Sequence, residues 1–357
     1  MSETRTVYRQ LAQRLDAIPN GFPATESGVE LRLLATMFAP EEAKLASVMR
    51  LNREPVADIA ARAHVDSQEA YRTLKGLIRY RKEERGLCFG LMPFVVGFYE
   101  EQLPRMDREM AELMEQYLQE TRGAGIARPE PAVHRVIPVE EAIPFDLEIF
   151  PHERATELIE SAKSWGVRRC ICRVQQQLIG KGCDHGIENC LVFAPVEGLF
   201  VNDDVTRAIT KEEALRILDE TEEEGLVHTT GNYRDGLNYI CNCCSCCCGI
   251  LRSVVEFGIP TAIATSHFHA VVDPDLCIGC GDCIERCQFD ALSLPGDLCQ
   301  VDEVRCVGCG ACAIICLADA LSLERRIEDE TPPLPTDIRD WTAQRADRRG
   351  IPLSEVL

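Results

Sequence analysis

One cysteine pattern occurs twice near the end of the chain and constrains it more than any other feature. The two copies read Cys277-Ile-Gly-Cys280-Gly-Asp-Cys283-Ile-Glu-Arg-Cys287 and Cys306-Val-Gly-Cys309-Gly-Ala-Cys312-Ala-Ile-Ile-Cys316. In each copy the first three thiols lie on one tight loop, where glycines let the backbone approach a central group closely. The fourth thiol lies beyond the reach of that loop, at the start of the following helix.

These eight thiols predict two cubane iron–sulfur clusters, each held by three cysteines of one copy and the fourth cysteine of the other. The alternative is a pair of zinc sites, but zinc closes with four ligands and has no use for a third evenly spaced cysteine plus a distant fourth. The predicted ligand sets are Cys277, Cys280, Cys283 and Cys316 for cluster 1, and Cys306, Cys309, Cys312 and Cys287 for cluster 2.

Residues 268–326 resemble the bacterial two-[4Fe-4S] ferredoxin family. Besides the cysteines, the stretch Asp-Ala-Leu-Ser-Leu follows the fourth cysteine of each copy, at 290–294 and 319–323. The resemblance implies two pseudo-symmetric β-α-β halves and electron transfer through the clusters. The family places proline directly after the fourth cysteine, whereas this chain has Gln288 and Leu317. This departure bears on the cluster potentials rather than on ligation.

The composition of the whole chain supports metal binding in a reducing compartment. Its 357 residues include 20 cysteines, and it has neither a membrane-length apolar run nor a secretory signal at its start. We therefore predict a cytoplasmic protein whose thiols bind metal rather than form disulfides. The formal net charge of −20 disfavours nucleic acid and favours redox partner proteins with a basic docking surface, although simple solubility explains it as well.

Residues 1–120 are predicted to form a helical domain. A short helix pattern over 55–63 is followed by a longer one, capped by Asp66 or Ser67, with its apolar face at Ala70, Leu74, Leu77 and Ile78. A basic stretch over 79–85 and a hairpin-like segment over 86–94 complete what looks like a winged helix-turn-helix. Such a domain binds DNA or docks protein, and the acidity of the chain favours docking. The residues that would face a DNA groove are Gln68, Tyr71, Arg72 and Lys75.

A stripe of large apolar residues then recurs at helical spacing between Met106 and Leu118. Such a stripe is typical of core or of the seam of a possible homodimer. The Gly- and Pro-rich segment 121–137 is predicted to be a linker.

Ten further cysteines lie between the linker and the ferredoxin-like segment. A helix over 151–165, and another capped by Thr210 and Glu213, are predicted to place them at the ends of elements. Neighbouring side chains of an extended segment point to opposite faces, so the six thiols of the later group cannot all reach one metal. The ten candidates are Cys170, Cys172, Cys183, Cys190, Cys241, Cys243, Cys244, Cys246, Cys247 and Cys248.

A subset of these thiols is predicted to ligate at least one further iron–sulfur cluster, with zinc and redox-active cysteines as the alternatives. The stretches around Cys170, Cys183 and Cys241 resemble a group of bacterial 4Fe-4S binding proteins in which they precede a two-cluster ferredoxin, which implies a cluster but no settled activity. His185 is either a ligand or a loop residue. Arg168, Arg169 and Arg173 would offset thiolate charge. Cys88 and Cys299 are expected to be ordinary buried thiols.

The predicted fold is a multidomain α+β chain. Its parts are a helical, winged-helix-like domain over 1–120, the linker over 121–137, a cysteine-rich α+β domain over 138–266, a two-cluster ferredoxin domain over 267–326 and a loosely ordered tail over 327–357. We predict electron relay between redox partners. The alternatives are a reductase or reductive activator with its active site at the middle cluster, for which no catalytic residue is identified, and a redox-sensing DNA-binding regulator.

Overall fold

The computed structural model describes residues 3–77, 80–83, 86–327 and 333–356. The α-helices are α1 Glu3–Asp16, α2 Val29–Met37, α3 Pro40–Ala46, α4 Val56–Ala63, α5 Ser67–Leu77, α6 Arg108–Thr121, α7 Ala155–Glu160, α8 Ile171–Leu178, α9 Lys211–Glu223, α10 Gly249–Val255, α11 Asp282–Arg286, α12 Ala311–Ile314, α13 Ile338–Arg348 and α14 Leu353–Val356. Short 3-10 helices span Glu100–Arg105, Glu140–Ala142, Pro151–Glu153 and Pro260–Ala262, and a π-type turn spans Phe94–Phe98.

The strands form four separate sheets. They are β1 Glu54–Pro55, β2 Tyr80–Glu83, β3 Gly86–Phe89, β4 His134–Val136, β5 Ser164–Arg169, β6 Glu188–Ala194, β7 Arg207–Ile209, β8 Val227–Gly231, β9 Tyr239–Cys243, β10 Ile263–Ala264, β11 Phe268–Val272, β12 Leu292–Ser293, β13 Gln300–Val301 and β14 Leu321–Arg325. The fold is therefore a mixture of helices and strands. No helix in the described ranges combines the length and the apolar character that a membrane span requires.

The chain divides into two compact units. Unit 1 comprises Met1–Glu130 together with Thr342–Leu357, and unit 2 comprises Pro131–Trp341. The division after Glu130 falls inside the segment 121–137, and the cysteine-rich and ferredoxin-like segments lie together in unit 2.

Unit 1 packs its helices around aromatic and aliphatic side chains and carries a small antiparallel sheet in the order β1-β3-β2. Helix α5 follows α4 after a left-handed residue, His64, and Asp66 Oδ1 accepts hydrogen bonds from the amides of Gln68 and Glu69. Asp66 is therefore the cap of α5.

The stripe on α6 is core within this unit, because Met110, Leu113, Met114 and Tyr117 are buried. Ile78, Arg79, Glu84 and Arg85 lie outside the described residues.

The chain end differs from the loosely ordered tail expected over 327–357. Residues 338–348 form α13, and three of its side chains, those of Trp341, Arg345 and Ala346, are buried. In unit 2, Trp341 Nε1 donates to the Ala132 carbonyl over 2.9 Å. In unit 1, the Arg345 guanidinium donates to the carbonyls of Pro19 and Ile126 over 2.9 and 2.8 Å. These side-chain hydrogen bonds to backbone carbonyls order the segment. A count of large apolar residues in the sequence does not reveal them.

Unit 2 is built on a seven-stranded sheet in the order β10-β4-β8-β9-β6-β5-β7. Residues 151–165 do not form the single helix that the sequence predicts, because α7 ends at Glu160 and Trp165 lies in β5. The Trp165 ring packs against the sheet core, and its Nε1 donates a hydrogen bond to the Ile159 carbonyl. Helix α9 begins as predicted, since Thr210 Oγ1 accepts from the Glu213 amide.

The two faces of this sheet have different contents. Side chains of α7 and α9 cover one face, where they pack on Val167, Leu191, Phe193 and Ile240. Because side chains alternate along a strand, the neighbours of these residues point to the other face. That second face carries Cys190 of β6 together with Cys241 and Cys243 of β9.

The ferredoxin-like segment consists of two similar halves. Strand β11 pairs antiparallel with β14, and β12 pairs with β13, while α11 and α12 follow the two cysteine loops. Asp290 and Asp319 occupy equivalent positions after the fourth cysteines and share a left-handed backbone, with φ of 52° and 50°. The internal repeat in the sequence is therefore also a repeat in backbone conformation.

We expect the buried carboxylate of Glu153 to stabilise unit 2. It pairs with Arg325 over 2.8 Å and with His267 over 2.5 Å, and these partners outweigh burial and lower the pKa of Glu153 to about 2, so it is ionised at neutral pH. Glu153→Gln should lower the free energy of unfolding by about 2 kcal/mol, less than for a fully buried pair because Arg325 and His267 keep some access to water. Anaerobic urea unfolding at pH 7 measures this, and the exposed Glu148→Gln is the control, expected within about 0.5 kcal/mol of the unsubstituted protein. Equal losses in both variants would contradict the role of Glu153.

Candidate metal centres

Four cysteines of the ferredoxin-like segment line a first cavity. Cys277, Cys280 and Cys283 come from the loop before α11 and from its first turn, and Cys316 comes from the other half of the segment. Cys299 lines the same cavity, and its sulfur lies 3.5 Å from that of Cys283. Cys299 is buried, as the sequence predicts, but its place beside four candidate ligands is not foreseen.

A second cavity repeats the arrangement. Cys306, Cys309 and Cys312 line it together with Cys287, which belongs to the first half. Burial raises the pKa of Cys309 to about 12, so this thiol is neutral until a metal displaces its proton. Each cavity thus combines three cysteines of one copy with the fourth cysteine of the other.

Backbone amides point at the sulfurs of both groups. Ala291 N donates to Cys287 Sγ and Ala320 N donates to Cys316 Sγ, over 3.4 and 3.3 Å. These two bonds occupy equivalent positions in the two halves, and Ala270 N and Cys299 N make similar bonds to Cys306 and Cys277. Such donors stabilise thiolate charge and are the interactions that tune an iron–sulfur cluster.

The two halves differ in how they are covered. Ile278 is 70% exposed, whereas the equivalent Val307 is 5% exposed. Leu317 is 89% exposed, whereas Gln288 at the equivalent position donates to the Gly225 carbonyl and accepts from the Ser245 amide over 2.6 Å. The middle part of unit 2 therefore packs against this side of the second half, whereas the equivalent positions of the first half are exposed to solvent.

Six of the ten remaining cysteines form a closed ring, which we call the six-thiol ring. Each thiol makes hydrogen-bonding contacts with two others, in an order that returns to its start. Three members come from the sheet face opposite α7 and α9, and the others lie at the starts of α8 and α10. The order is Cys170, Cys172, Cys248, Cys243, Cys241 and Cys190.

The thiols of this ring differ in the direction in which their pKa values are shifted. Hydrogen bonds from neighbouring thiols lower the pKa of Cys170 and of Cys248, each of which is the N-cap residue of a helix. The same contacts raise the pKa of Cys172 and Cys190. The two thiols at the helix N-termini are therefore more acidic than the thiols between them.

The other four cysteines form a compact group, which we call the four-thiol group. It consists of Cys183, on the loop before β6, and Cys244, Cys246 and Cys247, on the turn between β9 and α10. The Cys183 sulfur lies 3.9 Å from that of Cys244 and 3.5 Å from that of Cys247. Contacts join every remaining pair. The six thiols of the 241–248 run are thus divided equally between two sites.

Arg173 lies between the two groups and is 1% exposed. Its guanidinium donates to the carbonyls of Gly186 and Asn242, each over 3.0 Å. Burial opposes its charge, but electrostatic interaction with the sulfurs of Cys170, Cys244 and Cys243 raises the pKa of Arg173 above its ordinary value. Of the three arginines predicted to offset thiolate charge, this one contacts the thiols, while Arg168 donates to Thr206 and Arg169 is exposed.

His134 is a site residue that the sequence reasoning missed. It is buried on β4, its Nδ1 lies 3.3 Å from Thr229 Oγ1, and that hydroxyl lies 3.6 Å from Cys243 Sγ. Burial lowers the pKa of His134 to about 4, against an opposing effect of Cys248. The imidazole is therefore neutral, and its Nε2 has no protein partner. The residue stands far from any cysteine in sequence, so only the strand pairing reveals it.

His185 lies within reach of the four-thiol group. Its ligand atom and those of Cys183, Cys244 and Cys246 lie within 4.8 Å of one another. The imidazole also pairs with Glu224, over 3.5 Å from Nδ1 to Oε2. The other set of close ligand atoms among the described residues consists of His152, Glu153 and His267. In that set, the charge of Glu153 is already neutralised by Arg325.

The six-thiol ring and the four-thiol group differ in what they can hold. In the described part of the chain, the sets of three or more close ligand atoms include three members of the four-thiol group together with His185, but no part of the ring. The ring is thus too open for a single tetrahedral ion and fits a larger centre. Arg173 Nε and His134 Nε2 lie buried without a protein partner beside it. Such groups suit a centre whose sulfides accept hydrogen bonds.

Comparison with known families identifies one segment of the chain. Residues 270–293 match the family Fer4, described as a 4Fe-4S binding domain. The match contains Cys277, Cys280, Cys283 and Cys287. No curated protein and no solved structure matches the chain. The chain therefore carries a 4Fe-4S binding domain near its C-terminal end and is an iron–sulfur protein.

We expect Gly279 to be essential for this domain. A Cβ at Gly279 would lie 2.6 Å from the Asp297 carbonyl oxygen, and its φ of +68° disfavours any side chain. Gly279→Ala should push the loop from the cavity and remove up to about four irons and as many sulfides per chain. Gly281→Ala is the matched control, because its φ is +88° but no atom lies within 4 Å of the added Cβ. It should cost only about 1–2 kcal/mol of strain and keep the iron. Iron and acid-labile sulfide analysis compares the two, and equal losses would contradict the steric argument.

Proposed function

We propose that this protein relays electrons between redox partners through two C-terminal [4Fe-4S] clusters and a further cluster in the cysteine-rich part of unit 2. The observation that carries the proposal is the pair of cavities, each lined by three cysteines of one copy and the fourth cysteine of the other, next to a domain with ten more thiols. Clusters of this kind accept and donate single electrons. The chain supplies their ligands, the amides that bond to the ligand sulfurs and the polypeptide that joins the sites.

The proposed ligand sets cross between the halves. Cluster 1 would use Cys277, Cys280, Cys283 and Cys316, and cluster 2 would use Cys306, Cys309, Cys312 and Cys287. The lining of the two cavities supports this assignment, because each combines three cysteines of one copy with the fourth cysteine of the other. The crossing ties the two halves together, so neither cluster would assemble on one copy alone.

The proposed holder of the further cluster is the six-thiol ring. Its thiols are spread too widely for one ion, and Arg173 and His134 offer N–H groups beside it. The positive charge of Arg173 would offset part of the thiolate charge that such a centre concentrates. A ring of six ligands can also hold a centre larger than a cubane.

Gln288 links the second cavity to the ring. It follows Cys287 directly, and its side chain accepts a hydrogen bond from Ser245 N. Ser245 in turn is two residues from Cys243, a member of the ring. One hydrogen bond and a short length of backbone thus join a ligand of the proposed cluster 2 to the proposed middle centre. This supports electron exchange between them.

The partners we propose are redox proteins with a basic docking surface. The formal net charge of −20 would speed their encounter through complementary charge. The eight cysteines of the ferredoxin-type sets and the ten middle cysteines are unbridged thiols in the structure, which fits the reducing conditions of a cytoplasm.

A second candidate function is a reductase or reductive activator that works at the six-thiol ring. It is favoured by the unpaired Nε2 of His134 and by the partial exposure of Cys172, Cys190 and Cys241, which gives a small molecule access to one edge of the ring. Addition of a substrate should then change the electronic spectrum of the middle centre and leave those of the ferredoxin-type clusters unchanged.

A third candidate is a redox-sensing regulator. The order α4, α5, β2, β3 with β1 added to the sheet supports a winged-helix interpretation of unit 1, and Gln68, Arg72 and Lys75 are exposed on α5. The acidity of the chain weighs against DNA and for a protein contact at this helix. Cluster-dependent and salt-dependent retardation of a specific duplex in a gel would favour the regulator.

We expect paired substitutions to separate the two ferredoxin-type clusters. Cys316→Ala and Cys277→Ala should alter the same low-temperature electron paramagnetic resonance signal of the reduced protein. Cys287→Ala should alter the other signal. The reason is that the crossed sets give Cys316 and Cys277 one cluster in common. If Cys287→Ala instead disturbs the same signal as Cys277→Ala, the sets are not crossed.

We expect Gln288→Leu to slow electron exchange between cluster 2 and the middle centre several-fold. The substitution keeps the side-chain size but removes the bond to Ser245, and leaving that amide unpaired costs about 1 kcal/mol. Rapid mixing with less than one equivalent of reductant, followed by freeze-quench spectroscopy, measures how the electrons redistribute. The matched control is Leu317→Gln at the equivalent exposed position, which should change nothing. Equal rates in Gln288→Leu and the unsubstituted protein would exclude this link.

A further inference from the structure

We propose that the four-thiol group binds a single divalent ion, Zn²⁺ or Fe²⁺, in tetrahedral coordination, at a site separate from every iron–sulfur cluster of the chain. The ligands are Cys183, Cys244, Cys246 and Cys247. This site goes beyond the electron relay, because it needs neither sulfide nor a change of oxidation state. It would divide the ten thiols of the middle segment into a cluster site and a one-ion site.

The sulfur spacing carries the proposal. Four thiolates bound about 2.3 Å from a tetrahedral ion lie about 3.8 Å from one another. The Cys183 sulfur lies 3.9 Å from the Cys244 sulfur and 3.5 Å from the Cys247 sulfur. These two distances fit two edges of one tetrahedron around one ion.

The same chain offers a contrast. The cysteines of each ferredoxin-type set do not converge on one point but line the wall of a cavity that can receive a cluster. In the four-thiol group every sulfur contacts the other three. A cubane would have to push these contacts apart, whereas a single ion would replace thiol protons in the space between them.

The origin of the ligands also fits a one-ion site. Three thiols come from one tight turn and the fourth from a loop of distant sequence, and such a closed set of four leaves no open position for a substrate. Cys244 and Cys247 are buried with Leu226, Cys183 packs against them and Cys246 is exposed. Arg173 would offset part of the negative charge of the four-thiolate site.

His185 stands beside the group as the rival ligand. Its ring nitrogen lies near three of the thiols but pairs with Glu224. Four thiolates complete the tetrahedron without it. His185 is therefore expected to lie at the edge of the site and not to bind the ion.

The ion would fix the turn that bears Ser245. This turn holds three of the four ligands, and the Ser245 amide donates to Gln288 of the ferredoxin-like segment. Joined to Cys183, the turn would keep its place against that segment. The one-ion site would thus be a structural clamp in unit 2.

The test compares metal and sulfide contents of full-length variants purified without oxygen. The unsubstituted protein should contain one zinc per chain, or one iron in excess of its acid-labile sulfide. Cys183→Ser should lose that one ion and keep its sulfide, whereas His185→Gln should keep both. Cys172→Ser in the six-thiol ring should lose iron and sulfide together and keep the single ion.

The proposal is overturned if Cys183→Ser loses about four irons and four sulfides together, because the group then holds a cubane. It is also overturned if His185→Gln loses the ion, since histidine would then be a ligand. Should Cys183→Ser fail to fold, X-ray absorption at the metal edge of the unsubstituted protein decides: four sulfurs at about 2.3 Å without a metal neighbour support a one-ion zinc site. Absence of both zinc and excess iron refutes the site and leaves the two ferredoxin-type clusters unaffected.

Discussion

The guanidinium of Arg173 is the group on which the arrangement of unit 2 depends. Bringing ten thiols into one small region concentrates negative charge as soon as they ionise, and charge buried without a partner is costly. Arg173 lies between the six-thiol ring and the four-thiol group, and electrostatic interaction with the sulfurs of Cys170, Cys243 and Cys244 favours its charged form. Its hydrogen bonds to the Gly186 and Asn242 carbonyls fix it there. One cation can thereby serve two thiolate sites.

A polar network continues from Arg173 through the sheet. Asn242, whose carbonyl accepts from Arg173, uses its side chain to contact His228 Nδ1, and His228 Nε2 contacts Glu222. The Glu222 carbonyl accepts from Arg286 in the ferredoxin-like segment. Buried networks of this kind fix side-chain positions more firmly than isolated pairs do. The thiol sites and the ferredoxin-like segment are therefore held in one hydrogen-bonded frame.

The parts of the fold that the sequence could predict are local. The cysteine repeat, its glycines and the Thr210 cap each depend on residues a few positions apart, so their spacing carries the information. The division of the ten middle cysteines could not be predicted, because it depends on the pairing of β6 with β9, which brings Cys190 toward Cys241. His134 joins the ring region only through the pairing of β4 with β8. The helical chain end escaped prediction because its anchors are a guanidinium and an indole that bond to distant backbone carbonyls.

The unequal packing of the two ferredoxin-type halves gives the proposed electron relay a direction in space. A Cβ at Gly310 would lie 2.8 Å from Ala142, whereas the equivalent Gly281 has open space beside it. Ile278 and Leu317 extend this open side, and Cys280 is exposed there. A partner protein would thus approach the proposed cluster 1 from solvent, whereas the half that would hold cluster 2 packs against its own chain. In the proposed relay, the first cluster would exchange electrons with external partners and the second would exchange them with the middle centre. This difference arises although the two cysteine loops are almost identical in sequence.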